Sequence, residues 1–132
     1  MTEGVRRTKD WKFELENRMI HFAVAVLDIL EGLPDNRSSN HISTQLLRSG
    51  TSPAPNYAEA LSAESRRDFI HKLGLALKEL RETNVWLRII RQKDLIPENE
   101  LIRRTQTECN ELIAILVSSI NTARKNLTRD QE

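Results

Sequence analysis

The stretch Ser65-Arg66-Arg67-Asp68-Phe69-Ile70-His71-Lys72-Leu73-Gly74-Leu75-Ala76-Leu77-Lys78-Glu79-Leu80-Arg81-Glu82-Thr83-Asn84-Val85-Trp86-Leu87-Arg88-Ile89-Ile90 decides the fold. Phe69, Leu73, Ala76, Leu80, Leu87 and Ile90 recur at three- and four-residue spacing, with Thr83 in register, as one face of an α-helix requires. Ile70 and Leu77 widen that face. Ser65 followed by Asp68 is an N-terminal capping signal. Leu75, Trp86 and Ile89 fall on a different face, so this helix has apolar surface to offer beyond one core. It is predicted as the third of four.

The same periodicity extends in both directions. Downstream, Pro97 with Glu98 and Glu100 predicts the start of a fourth helix, with the charge sign that a helix N-terminus favours. Leu101, Thr105, Cys109, Leu112, Leu116, Ser119, Ala123 and Leu127 carry its core face. Upstream, a first helix is expected from Asp10 or Phe13 to Gly32, stopped by Gly32-Leu33-Pro34. It has two apolar faces, Ile20-Ala23-Val24-Leu27-Leu30 and Met19-Phe22-Val26-Ile29-Leu33, and only a narrow polar strip through His21, Asp28 and Glu31. A helix this apolar must be covered on more than one side, most simply by a second subunit. Met19, Phe22 and Val26, with Leu75, Trp86 and Ile89, are the candidate subunit contacts.

The second helix is capped by Ser38 or Ser39 and buries Ile42, Leu46 and Ser49. Pro53 and Pro55 then remove two backbone donors, so a kink or a break is expected there. Asn56 and Glu59 read as a capping box that restarts the helix at Tyr57 and carries it to about Glu64.

At 132 residues the chain is long enough for one domain, 1–132, able to bury roughly two-thirds of its unfolded surface. The ends, 1–10 and 128–132, are expected to be frayed tails. With 4 Gly, 4 Pro and 39% hydrophobic residues, the composition favours helices over disorder. One cysteine excludes an internal disulfide. The N-terminus lacks the apolar segment of a signal peptide, and the longest apolar run, Phe22 to Leu27, is far short of the ~20 residues of a membrane span. These features lead us to expect a cytoplasmic, all-α, up-down-up-down antiparallel four-helix bundle.

Gln45-Leu46-Leu47-Arg48-Ser49-Gly50-Thr51-Ser52, Asn56-Tyr57-Ala58-Glu59-Ala60, the Asp68 to Glu79 run, Glu82-Thr83 and Trp86-Leu87 resemble, in that order, the signature of the bacterial four helix bundle proteins. The founding members of that family are encoded in intervening sequences of the 23S ribosomal RNA gene, and an accessory protein of diversity-generating retroelements is related. The likeness runs from about Phe13 to Arg124. It implies an antiparallel bundle assembled as a homopentameric ring, with nucleic-acid binding as the leading suggestion for its activity. Pro53 and Pro55 together depart from the usual pattern and put an unbroken second helix in question.

Charge supplies the candidate chemistry. Residues 66–93 hold eight Lys or Arg against three Asp or Glu, within a chain whose net charge is only +1. Arg66, Arg67, Lys78, Arg81, Arg88 and Arg91 are the candidate phosphate contacts, for RNA above DNA. The bland reading is a solvated face neutralised by acids of adjacent helices, which would leave the protein an interaction scaffold. Arg48, Asn56, Glu59, Glu79 and Glu82 are expected to form a polar network that fixes helix register, since such groups survive burial only when paired. A carboxylate enzyme is the remoter alternative. No Glu-x-x-His pair of a di-iron bundle is present; Asp68-x-x-His71 comes nearest, and Asp68 belongs to the Ser65 cap. Cys109 sits at a core position. The sequence holds no phosphate loop or nucleophile elbow, and neither a cofactor, a metal, a small-molecule substrate nor a membrane is expected.

Overall fold

The computed structural model describes the backbone of residues 3–131 and the side chains of residues 13–129. Among the described residues the chain is all helix: α1 (Glu3–Glu31), α2 (Arg37–Thr51), α3 (Pro53–Leu61), α4 (Arg66–Lys93) and α5 (Glu100–Gln131). The predicted third and fourth helices are α4 and α5. The backbone is already helical at Glu3, ahead of the expected start at Asp10, and stays helical at the other end to Gln131. Met1, Thr2 and Glu132 lie outside the described residues.

Proline chemistry decides how the second helix is divided. Ser52, between α2 and α3, keeps right-handed helical dihedrals (φ −78°, ψ −32°), and the Asn56 N–H still reaches the Ser52 carbonyl at 3.2 Å. Pro53 and Pro55 both occupy the first turn of α3, where a missing N–H leaves no bond unmade. The hydroxyls of Thr51 and Ser52 donate to the carbonyls of Leu47 and Arg48, each at 2.6 Å, on the α2 side of the bend. The result is a kink with no loop. Asn56 therefore lies inside α3, where its amide donates to Ser52 O at 3.0 Å; it does not cap a restarted helix, and α3 ends at Leu61, short of Glu64.

Three caps differ in a similar way from the expectation or confirm it. Ser65 accepts from the Asp68 N–H at 3.0 Å, as read. Asn36, and neither Ser38 nor Ser39, caps α2: its Oδ1 accepts from the Ser39 N–H at 2.9 Å. Asn99 caps α5 by accepting from the Ile102 N–H at 2.9 Å, so the helix opens after Pro97 by three residues. Asp94 ends α4 in the left-handed region (φ 54°), and the Leu95 N–H closes back on Ile90 O at 3.1 Å in a Schellman-type turn.

The core takes Leu73, Ala76, Leu80, Leu87 and Ile90 from α4 as expected, with Thr83 wholly buried among them. From α5 come Cys109, Leu112 and Leu116, joined by Ile102 and Ile120. The α1 contribution overturns the expectation. Met19, Phe22 and Val26 are 0–2% exposed and belong to the intramolecular core with Leu15 and Ile29, so they are not subunit contacts. Each such side chain contributes about 1.5–3 kcal/mol by leaving water. The other face of α1 points outward: Ile20, Val24 and Leu27 are 45, 50 and 39% exposed. No described helix is long and apolar enough to cross a membrane.

Candidate functional site

The outer face of α4 is set by elimination. Its core stripe turns inward, and at 3.6 residues per turn the opposite side carries Arg67, Lys78, Arg81 and Arg88 within an arc of about 80°. All four are exposed, and none makes an ion pair or side-chain hydrogen bond among the described residues. The nearby acids are drawn elsewhere. Arg48 of α2 bonds Glu79 at 2.8 Å and also bonds Glu82, pulling both carboxylates to the α2 flank of α4. Glu82 in turn accepts from the Trp86 indole N–H at 3.1 Å, and the Trp86 ring meets His41 edge-on, with centroids 6.1 Å apart. Below them the hydroxyls of Thr83 and Ser49 meet at 2.9 Å in the core.

This separates the six candidate cations. Arg66 is exposed but lies off the row. Arg91 is half-buried and tied down: its guanidinium bonds Glu98 at 2.6 and 3.2 Å and Gln106 at 2.7 Å, which ties α4 to the residues opening α5. That bond holds the Glu98 carboxyl below its ordinary range. Arg91 is thus a structural cation and not an available phosphate contact. Lys72 is likewise engaged, with Glu59 at 3.4 Å.

The expected polar network is brought together only in part. Arg48, Glu79 and Glu82 meet; Asn56 bonds its own helix and Glu59 meets Lys72. An unexpected clamp joins α1 to α5: Arg18 grips Glu108 with two hydrogen bonds, 2.9 and 2.5 Å, and reaches Glu111 at 3.3 Å. The Arg18 hydrogen bond is the main reason that the Glu108 carboxyl titrates below its ordinary range. Residues ninety positions apart leave no local trace in a sequence. Of the other candidate subunit contacts, Leu75 and Trp86 are half-buried and Ile89 is 38% exposed.

Cys109 is 0% exposed, with its thiol 3.2 Å from Leu80 O, and burial pushes its pKa up to about 12, so it stays protonated and packs as an apolar group. Among the described residues no three of His, Cys, Asp and Glu come together as a metal would need. A cleft of about 430 Å³ between α3, the start of α4 and the later turns of α5 is floored by Leu61, Phe69 and Leu73 and edged by Ser118, Thr122 and Asn126. It lies apart from the basic row.

The family model for the 23S rRNA-intervening sequence protein matches residues 12–118. The chain belongs to that family. A solved structure similar to the chain is the crystal structure of a protein of unknown function, of the S23 ribosomal protein family, from Bacteroides thetaiotaomicron. It is 34% identical, covering 83% of this chain and 97% of its own, with a TM-score of 0.75. No curated protein matches the chain. Membership agrees with the resemblance, strongest from Gln45 to Leu87, the stretch that holds the end of α2, the kink, α3 and about the first six turns of α4.

Proposed function

We propose that the protein is a non-enzymatic nucleic-acid-binding bundle that meets phosphate backbones through the outer face of α4. The observation that carries this reading is the row Arg67, Lys78, Arg81 and Arg88: four exposed cations without an ion-pair partner among the described residues, while Glu79 and Glu82 lie outside that arc and bond Arg48. A chain of net charge +1 that leaves four cations uncompensated in one place concentrates positive potential there. RNA is favoured over DNA because the names of the family and of its solved relative both refer to ribosomal components.

The bundle is read as antiparallel, up-down-up-down. Along α1, Arg18 meets Glu108 and Glu111 while Ala25 lies near Leu101; along α2, His41 meets Trp86 while Arg48 meets Glu79; along α4, Leu80 meets Cys109 while Arg91 meets Gln106. In each pair the numbering runs in opposite senses. Assembly as a homo-oligomeric ring, five subunits by the family resemblance, would cover the outward apolar face of α1.

A protein-interaction scaffold without a nucleic-acid ligand is the second reading, favoured by that same apolar face. Fluorescence anisotropy with labelled RNA, titrated in salt, separates the two. Four phosphate contacts per chain predict a log–log salt slope of about −3 to −4. Reversal of Lys78 and Arg81 to Glu should abolish binding at ~100 mM salt while the helical spectrum is kept. Unchanged affinity and slope in that variant would leave the scaffold.

A further inference from the structure

We infer that the α4 row is built for a double-stranded nucleic acid lying along the helix, its two strands touched alternately over one turn. This rests on the phosphate-binding reading above and adds the substrate class to it.

The argument begins with spacing. The four cations form three groups: Arg67, the pair Lys78 and Arg81, and Arg88. At 1.5 Å per residue, Arg67 stands about 19 Å from the midpoint of the pair, and the pair about 13 Å from Arg88. A straight rod laid along a duplex meets one strand, crosses a groove, meets the other strand, crosses the second groove and meets the first strand again. The two intervals between strands differ by the difference in groove width, because the phosphates bounding each groove add the same breadth to both. B-form grooves are about 12 and 6 Å wide, a difference of about 6 Å, and the two intervals on α4 differ by about 6 Å. Their sum, about 32 Å, is close to the 34–36 Å of one helical turn and within the reach of arginine side chains at either end. A duplex of A-form also has one wide and one narrow groove, so two phosphate strands separated by unequal gaps are common to both, while the numerical match is to B-form, the geometry of DNA.

The residues in the gaps fit this placement. Between Arg67 and Lys78 the outer arc takes in the half-buried Ile70 and Gly74, with His71 just beside it, and a Cβ placed on Gly74 would meet no atom within 4 Å. Between Arg81 and Arg88 it passes Val85. No acid stands on the line. Helix α4 runs for 28 residues without a proline, so no proline kink interrupts the row.

A single strand is disfavoured by how little ring surface the face offers, the exposed His71 imidazole beside the row being small. Proteins that hold single strands stack bases on exposed aromatic rings. The large apolar side chains exposed on α4 are Val85 and Ile89, both aliphatic, while Trp86 is half-buried and held by Glu82 and His41.

The test uses the purified full chain and anisotropy at fixed salt, with four labelled probes: a 20-bp RNA duplex, a 20-bp DNA duplex, a 20-nt single strand of the same sequence, and an 8-bp RNA stem. The expected result is duplex binding at least about 10-fold tighter than the single strand, and a loss of about 10-fold on the 8-bp stem, which is too short to be met at all three groups. Comparison of the two duplexes identifies the source. A second measurement uses Arg67→Ser with His71→Arg, which moves one cation about 6 Å along the same face without changing net charge. Duplex affinity should fall about 5–10-fold and the salt slope shrink by about 1. Equal binding of single strand and duplex, or an unchanged duplex affinity in the shifted variant, overturns the duplex assignment while the phosphate-binding reading stands. Absence of binding to every probe overturns that reading first, and this inference with it.

Discussion

Gly50 of α2 packs so closely on Val26 of α1 that a Cβ built at position 50 would lie 2.6 Å from Val26 Cγ1. That distance is inside any real non-bonded carbon–carbon contact, and Val26 is itself 0% exposed, so it cannot move aside into solvent. Gly50 is here for its missing side chain; its φ is not positive. The small residue lets the two helices approach just before the kink, and so helps fix where α3 is delivered.

Gly50→Ala should therefore destabilise the fold by about 1–3 kcal/mol through overpacking, against the small gain that alanine's helix propensity would otherwise bring. Chemical denaturation measures the loss. Adding Val26→Ala to Gly50→Ala should cost less than the sum of the single changes, since it vacates the space the new methyl needs. Additive losses would show that the two residues are not in this contact.

Ser49 and Thr83 make a second, polar contact one residue away, and both are 0% exposed. Thr83 Oγ1 also lies 2.8 Å from Glu79 O, so its proton can go to that carbonyl while it accepts from Ser49. Thr83→Val keeps the shape and strips Ser49 of its partner, at a cost of about 1–3 kcal/mol. Ser49→Ala combined with Thr83→Val should recover part of that cost, because no buried hydroxyl is then left unmatched. A double-mutant cycle by thermal melting reads the coupling directly.

The Arg18–Glu108 clamp gives a pH prediction whose sign follows from the direction of the shift. Glu108 titrates lower in the folded chain than in the unfolded one, chiefly because Arg18 bonds its ionised form. The resulting stability is full above the ordinary glutamate range and is lost as pH falls from that range through the depressed folded value. Both groups are partly exposed, at 38 and 27%, so the pair is worth no more than about 1 kcal/mol. Glu108→Gln should lower stability at pH 7 and flatten its fall as pH drops below the ordinary glutamate range. Parallel curves for variant and native protein would show that the clamp carries no stability.

The sequence was most legible where one face alone was apolar. On α4 the core stripe reads unambiguously because Arg67, Lys78, Arg81 and Arg88 hold the opposite side, and the same cations define the candidate site. Helix α1 is apolar nearly all round, so periodicity marks two faces and cannot rank them. The tie-breakers were present: Leu15 extends the Met19-Phe22-Val26-Ile29 face by one turn, whereas Glu16 and Glu31 lie on the Ile20-Val24-Leu27 side. The expected caps differ from the observed ones by two or three residues because Asn36 and Asn99 stand beside the equally plausible Ser38, Ser39 and Pro97. The pairings that remove Arg91 from the site join separate stretches, Arg91 with Glu98 and Gln106, and spacing does not report which of several cations finds an acid.

The outward face of α1 yields the remaining prediction. Phe13, Ile20, Val24 and Leu27, all exposed, form a stripe about 21 Å long on one side of α1. A contiguous apolar surface of this kind marks an interaction site. Charge placed there should act on assembly and spare the fold, whereas charge placed on the opposite face must be buried. On the proposed assembly, Val24→Glu with Leu27→Glu should reduce the mass measured by light scattering to that of one chain, 15.3 kDa, with helical content retained, and a native mass already equal to one chain would overturn the assembly. Met19→Asp should instead unfold the chain, because an uncompensated carboxylate would replace a side chain that is 0% exposed. Trp86→Asp should sit between these, losing the Glu82 bond and some core packing without a clean change in mass. If the α1 variant keeps the native mass while Trp86→Asp or Ile89→Asp lowers it, subunits meet through the α2 flank of α4, and the apolar face of α1 serves a different partner.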